Sequence, residues 1–461
     1  MRQTLGVLVL VVLAAPASAQ NPQTFTLEQA LQYAADHYPA IRAALEDVNV
    51  TSADARVARS ASLPRLDAVW QSNRATANNI FGQVLPQSVI PGMSGPVLPS
   101  ASADSVWGTA TGALFSWEPF DFGLRDAAVA GAEAAVTRAR AGEALTRLGV
   151  QAAVGSAFLS VVAAQRAVLA AQADFDRRDV LARTVHALVD NQLRPGADAS
   201  RADAERAAAR TRLIQAQEAL TLAETTTARA LGMATTVSAP VTIDGANLLA
   251  QIPASEPTAE VATAHPLVQV HRASIDVARA QEDVLARTDR PRVYLQSSVF
   301  ARGSGANPNG VLDGGFGGLG LDRANWAAGI QIQFPNLFDF SSLRARQAAA
   351  AASERAETAR YDEAVLTIGS QQQAAATMVQ AARAVAANTP VQLAAAQQSE
   401  AQARARYQAG LTNIVDVADA QSLLAQSEVQ DQLARVDVWR ALLAEAVARG
   451  TLAPFLNRVH P

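Results

Sequence analysis

Two aspartates three positions apart, Asp416 and Asp419, stand in the stretch TNIVDVADAQ. On a helix that spacing puts both carboxylates on one face. Asp416 also falls just after a turn at Ala409-Gly410-Leu411. There a carboxylate near a helix amino terminus is favoured by a few tenths to ~1 kcal/mol. Such a pair attracts cations or steadies a helix start, and the chain offers nothing that would turn it into a catalytic group. There is no HExxH, no P-loop and no nucleophile elbow. Gly315-Phe316-Gly317-Gly318-Leu319-Gly320 fits GxGxxG, but it lies between two strand-like segments instead of between a strand and a helix. The five histidines are scattered, and His37 and His265, just before Pro39 and Pro266, read as local structure at helix breaks. With no cysteine, thiol catalysis, thiolate metal sites and disulfides are all excluded. No enzymatic activity, metal or cofactor is expected. The formal net charge of −4 is dispersed, so nucleic acid is not expected as a partner; that all permanent positive charge comes from arginine reads as genome composition.

The elements that position these aspartates begin after an export signal. Arg2, the apolar run LGVLVLVVLAA and Ala17-Ser18-Ala19 predict a signal peptide over residues 1–19. No other run of 18 or more apolar residues occurs, so no transmembrane helix is expected in the mature chain. The rest reads as a duplication. Pro39 and Pro266 lie 227 positions apart, as do Pro64 and Pro291. Phe120 and Phe338 lie 218 apart, as do Asp198 and Asp416. The expected division is a first repeat at 20–235, a linker at 236–257, a second repeat at 258–450 and a tail at 451–461.

Each repeat has the same internal order. A helix comes first, opened in the first copy by the capping-box pattern Thr26-Leu27-Glu28-Gln29. A strand pair follows, at 65–118 and again at 292–334, with period-two alternation such as Trp326, Ala328, Ile330, Ile332 and Phe334. Each strand runs roughly ten residues, the length of a tilted membrane strand. The phrase FDF then leads into a helical hairpin, at 121–231 and 340–449. No proline interrupts Leu124 to Asp190, and some 65 helical residues would reach roughly 100 Å. Pro390 predicts a kink in the second long helix. The turns fall at Leu193-Arg194-Pro195-Gly196 and Ala409-Gly410-Leu411.

Alternation alone fits either a small soluble sheet packed on helices or barrel strands with an apolar lipid face. Trp70, Trp107, Trp117 and Trp326 lie in or at the ends of the strands, where an interfacial girdle would place them. In lipid, four strands leave two open edges and the sheet must close through other chains. Two chains would give eight strands and three would give twelve.

The motifs TLEQALQYAADHYPAIRAA, SLPRL, FDFG and YQAGLTNIVDVADAQSLLAQSE resemble the outer-membrane efflux protein family, the TolC-like channels, and the similarity covers nearly the whole mature chain. The family usually has Asn-Pro where this chain has Tyr38-Pro39 and His265-Pro266. The resemblance implies a mixed α and β membrane protein: a homotrimer with a twelve-stranded β-barrel in outer-membrane lipid and long coiled-coil hairpins forming an α-barrel in the periplasm. It implies a passive efflux duct for small toxic molecules, coupled to a periplasmic adaptor and an inner-membrane transporter. The outlet of a type I protein-secretion system has the same architecture, and a soluble periplasmic coiled-coil scaffold is the reading from another class. By family position, Asp416 and Asp419 ring the pore constriction, while Asp198, Tyr407 and Thr412 fall at the periplasmic gate. The member compared has arginine at the place of Thr412, so one link of its latch is missing here. Gly410, Leu411 and Thr412 match the tip that meets the adaptor; Leu193 and Arg194, in the first-repeat turn, occupy the corresponding contact but depart from the motif.

Overall fold

The computed structural model describes residues 24–76, 103–233, 242–243, 249, 262–307, 309–335 and 338–459. The expected signal peptide, most of the expected linker and most of the connection between the first two strands lie outside the described residues. In chain order the elements are β1 (Thr24–Phe25), α1 (Leu27–His37), α2 (Pro39–Ser60), β2 (Arg65–Thr76), β3 (Ser105–Phe120), α3 (Leu124–Asp190), α4 (Gly196–Ala230), β4 (Thr242–Ile243), α5 (Pro266–Leu285), β5 (Arg292–Ser304), β6 (Arg323–Gln333), α6 (Phe340–Gln408), α7 (Ile414–Arg449) and α8 (Ala453–Val459). By contact the chain forms two compact units, one of residues 1–46, 141–269 and 363–461, the other of residues 47–140 and 270–362.

In the first unit the capping box is formed. Gln29 N donates to Thr26 Oγ1 at 3.3 Å, and Thr26 N donates to Gln29 Oε1 at 3.1 Å. Leu27, Ala30, Leu31 and Ala34 are the buried face of α1. They join Val154, Phe158 and Val161 of α3 and Trp439 and Leu442 of α7 in one apolar core. α3 holds an 18-residue window of mean hydropathy 1.6, long and apolar enough to cross a membrane by composition. Serine and glutamine punctuate its apolar residues, so it holds no unbroken apolar run of 18. Part of that window, 44%, is buried within the chain. Two short features were not legible in the sequence. β1 pairs with β4 in parallel, Phe25 opposite Ile243. The stretch expected as a tail contains α8, whose Phe455 ring meets Trp439 edge-on at 5.8 Å between centroids.

α6 runs through Pro390 as one helix. Proline supplies no N–H to the ladder. Neighbouring side chains tie this point to α7: the buried Thr389 Oγ1 donates to the buried Asp431 Oδ1 at 3.0 Å, and Gln392 Nε2 donates to Gln430 Oε1 at 2.8 Å.

The second unit contains an antiparallel sheet in the order β2-β3-β5-β6. The register places Leu66 and Trp70 on one face with Phe115, Leu295, Val299, Trp326 and Ile330. Asp67, Gln71, Asn73, Gln296, Ser298, Asn325 and Gln331 occupy the other. The apolar face is uncovered, with Trp70 and Trp326 at 74% and 79% exposure. The strands are 12, 16, 13 and 11 residues long. They exceed the expected ten because polar and glycine residues at their ends, such as Asn73 and Gly303, keep the ladder. The register slips between Trp117 and Phe120, where Pro119 lacks the N–H that pairing needs. Phe334, expected in the last strand, falls beyond it, next to Pro335.

The two FDF phrases make the strand-to-helix passage differently. In the first, Phe122 takes φ +53° and Gly123 φ +87°. The Asp121 carboxylate accepts from Gly123 N at 3.1 Å and from Arg125 N and Nε at 2.7 Å, so it caps α3. In the second, Phe340 already begins α6, and Leu343 N donates to Asp339 O at 3.2 Å.

Candidate functional site

The expected site residues gather at the two hairpin turns of the first unit. α3 closes with Gln192 at φ +61°, Gln192 N donating to Val189 O and Leu193 N to Leu188 O, both at 2.8 Å. α6 closes with Gly410 at φ +79°, Gly410 N donating to Tyr407 O at 3.0 Å and Leu411 N to Arg406 O at 2.9 Å. Both are Schellman closures, which satisfy carbonyls that a helix end leaves without partners. Leu193 and Leu411 follow at 68% and 71% exposure.

The starts of the next helices differ. Pro195 precedes α4 and makes no side-chain cap; Asp198 N donates to its carbonyl at 3.0 Å. Asn413 caps α7 by accepting from Asp416 N at 3.1 Å. Asp416 is therefore in the first turn, and its carboxylate also accepts from Thr412 Oγ1. Asp416 and Asp419 both face solvent, while Ile414, Val417 and Ala418 form the buried side of α7.

Tyr407 is the centre of the arrangement. Its side chain is 1% exposed and packs with Ala182, Val185, Ala199, Ala202, Ile414 and Val417. Its hydroxyl donates to Asp198 Oδ2 at 3.1 Å. The Arg194 guanidinium lies over the ring, 4.3 Å from its centroid, and donates through Nη2 to the Tyr407 carbonyl. Burial, then the hydrogen bond to Asp198 and the charge of that carboxylate, push the phenol up to about 12, while Arg194 opposes the shift.

Behind the turn sits a second polar group. Arg178 is 1% exposed, and its guanidinium reaches Asp174 Oδ1 at 3.0 Å, Glu205 Oε2 at 2.7 Å and Ser422 Oγ at 3.0 Å. Arg212 approaches the other oxygen of Asp174 at 3.1 Å. One arginine thus links α3, α4 and α7.

Asp198, Tyr407 and Arg194 are brought together, whereas Thr412 is engaged with Asp416 instead of with the Tyr407 cluster. The sequence reading missed Asn413, although Asn-x-x-Asp is a helix-start spacing. It also missed Arg178: Asp174 and Arg178 stand four apart, but nothing local shows that they are buried. Among the described residues no group of three or more His, Asp or Glu is placed to hold a metal.

Long helical hairpins, combined with a two-faced sheet whose edge strands β2 and β6 each lack a partner on one side among the described residues, are the architecture of a membrane channel subunit. The chain belongs to the outer membrane efflux protein family, whose sequence profile matches residues 30–233 and 259–445. That places it in the outer membrane, with its helical part in the periplasm. It is 26% identical over 449 residues to Protein CyaE of Bordetella pertussis, covering 95% of this chain and 86% of that protein. Its fold is similar to that of the outer membrane protein VceC of Vibrio cholerae, with TM-score 0.72, 19% identity and coverage of 92% and 96% of the two chains. It is also similar to the open state of the Neisseria gonorrhoeae MtrE outer membrane channel, with TM-score 0.71, 18% identity and coverage of 92% and 89%.

Proposed function

We propose that three copies of this chain form a passive outer-membrane exit duct of a tripartite efflux system, exporting small toxic molecules together with a periplasmic adaptor and an inner-membrane transporter. The sheet carries this reading. Its apolar face is exposed and its edge strands β2 and β6 each lack a partner on one side among the described residues. In lipid such edges must close, and three copies give twelve strands. The chain itself is read as two repeats, 20–235 and 258–450, joined by a linker. Asp416 and Asp419 line the constriction. Asp198 and Tyr407 hold the periplasmic end shut, with Thr412 beside them. Leu193, Arg194, Gly410, Leu411 and Thr412 form the tip that meets the adaptor.

Six carboxylates around one axis attract cations strongly at the intermediate effective dielectric of a protein surface. The purified trimer in planar bilayers is expected to prefer cations and to be blocked from the periplasmic side by trivalent metal ions. Asp416→Asn with Asp419→Asn abolishes the block and leaves the trimer intact. A block that survives removes the carboxylates from the constriction; a stable monomer in lipid removes the duct. Deleting the chromosomal copy is expected to sensitise cells to small toxic compounds, whereas loss of a secreted polypeptide instead would make it a protein-secretion outlet.

A further inference from the structure

Arg194 stands at the solvent-facing tip of the first turn, next to the exposed Leu193. An arginine in such a loop ordinarily extends its charge into water. Here it is half-buried and folds back across to the other hairpin. Three attractions converge on that position. The guanidinium faces the Tyr407 ring at 4.3 Å, within the range of a cation–π contact. It donates to the Tyr407 carbonyl, whose second lone pair is free beside the bond from Gly410 N. And a positive charge at a helix carboxyl terminus is favoured by the macrodipole.

Asp198 lies four residues after Arg194, on the first turn of α4, and takes the Tyr407 hydroxyl. Arg194 and Asp198 therefore hold one tyrosine from two sides, the first by ring face and backbone, the second by its polar end. Thr412 occupies the place in the second turn that Arg194 occupies in the first, 218 positions later. Its hydroxyl is engaged with Asp416. The second turn brings no cation of its own to this cluster.

We infer that Arg194 is the positioning residue of the gate, holding Tyr407 where its hydroxyl meets Asp198, and that its guanidinium serves the chain itself instead of an adaptor. This rests on the reading of Tyr407 and Asp198 as a gate. Lysine replaces it only in part, because a point charge on a flexible stem does not lie flat on a ring while donating sideways.

The test uses the full-length trimer in planar bilayers. Tyr407→Phe with Asp198→Ala sets the unlatched conductance. Arg194→Ala is expected to shift the open-to-closed ratio by roughly tenfold in the same direction, the size of a single contact. Arg194→Lys is expected to be intermediate, and the triple variant to exceed the Tyr407 and Asp198 pair by little. Capture of the purified adaptor is expected to match wild type in Arg194→Ala and to weaken in Leu193→Ala. If the pair variant itself leaves conductance unchanged, the gate reading fails. If the pair opens the channel and both Arg194 variants behave as wild type, or if Arg194→Ala loses adaptor capture with conductance unchanged, the assignment of Arg194 is overturned. Variants that no longer run as trimers on unheated gels would assign Arg194 to assembly, and overturn it too.

Discussion

The two turns occupy corresponding places, with Gln192 to Asp198 in one and Gly410 to Asp416 in the other, yet they solve the same problem differently. The second is self-contained. Glycine takes its left-handed position, Asn413 caps the next helix and Thr412 bonds to Asp416. The first places glutamine in that position and proline where the cap would be, and it sends Arg194 and Asp198 to the neighbouring hairpin. The tie between the hairpins is therefore contributed by one side. The same asymmetry recurs farther from the tip. α3 is joined to its neighbours through buried charge at Arg178, whereas α6 meets α7 through Thr389 and Gln392 on either side of a proline. A local turn keeps its polar groups to itself; a turn that exports them adds a tie between the two hairpins.

The largest effect that would test this contrast lies at Arg178. Arg178→Met removes the cation between Asp174 and Glu205, and leaving buried charge uncompensated costs about 3–5 kcal/mol. Arg212 keeps one oxygen of Asp174 paired, so the lower end is expected. Thr389→Val, in the other hairpin, removes one donor from the buried Asp431 and should cost about 1–2 kcal/mol. Both are read from the temperature at which the detergent-solubilised trimer dissociates. Equal losses would erase the difference between the hairpins.

Next comes the response to alkali. The hydroxyl of Tyr407 donates only while protonated, and its pKa in the folded chain is raised to about 12 from the ordinary 10. Its contribution to the closed state is therefore fully present below pH 10 and is lost as pH rises through about 12. Wild-type conductance should climb across that window, and Tyr407→Phe should be flat there. A rise confined below pH 9 would point to another group.

The smallest effect concerns the turns themselves. Glutamine in the left-handed region is strained relative to glycine by about 1 kcal/mol. Gln192→Gly should stabilise the first turn by about that amount and Gly410→Gln should destabilise the second similarly, both measured by hydrogen exchange of the flanking amides. If Gly410→Gln costs nothing, the second turn is not the self-sufficient one.

The repeating order of helix, strand pair and hairpin was legible because it rests on signals carried by neighbouring residues. Thr26 and Gln29 announce a cap, the alternation through Trp326 and Ile330 announces a strand, and Gly410 announces a helix end. What escaped was decided by residues far apart in the chain. The pairing of Phe25 with Ile243 is two residues long and has no periodicity. Burial of Arg178 depends on α4 and α7 closing over α3. The sequence showed Asp198 and Tyr407 only through family position, and Arg194 as an outward contact, since a stacking partner 213 residues away leaves no local mark. Gln192 was passed over because left-handed backbone is ordinarily announced by glycine.

The glycine-rich connection after β5 carries a consequence for substitution. Gly305 N donates to Trp107 O at 2.9 Å, so the connection lies against the end of β3. A Cβ on Gly303 would sit 1.7 Å from Gly320 O, and one on Gly318 would sit 2.1 Å from Trp107 O. No side chain fits at either place without moving backbone. Gly314, by contrast, has nothing within 4 Å of an added Cβ and no left-handed backbone, whereas Gly310 and Gly315 are equally open but take φ +81° and +67°, which side chains rarely adopt. The base of the connection is closed to drift while its crown has room for it at Gly314. Side chains should therefore be tolerated at Gly314 and refused at Gly303 and Gly318 when each is replaced by alanine and trimer yield is measured.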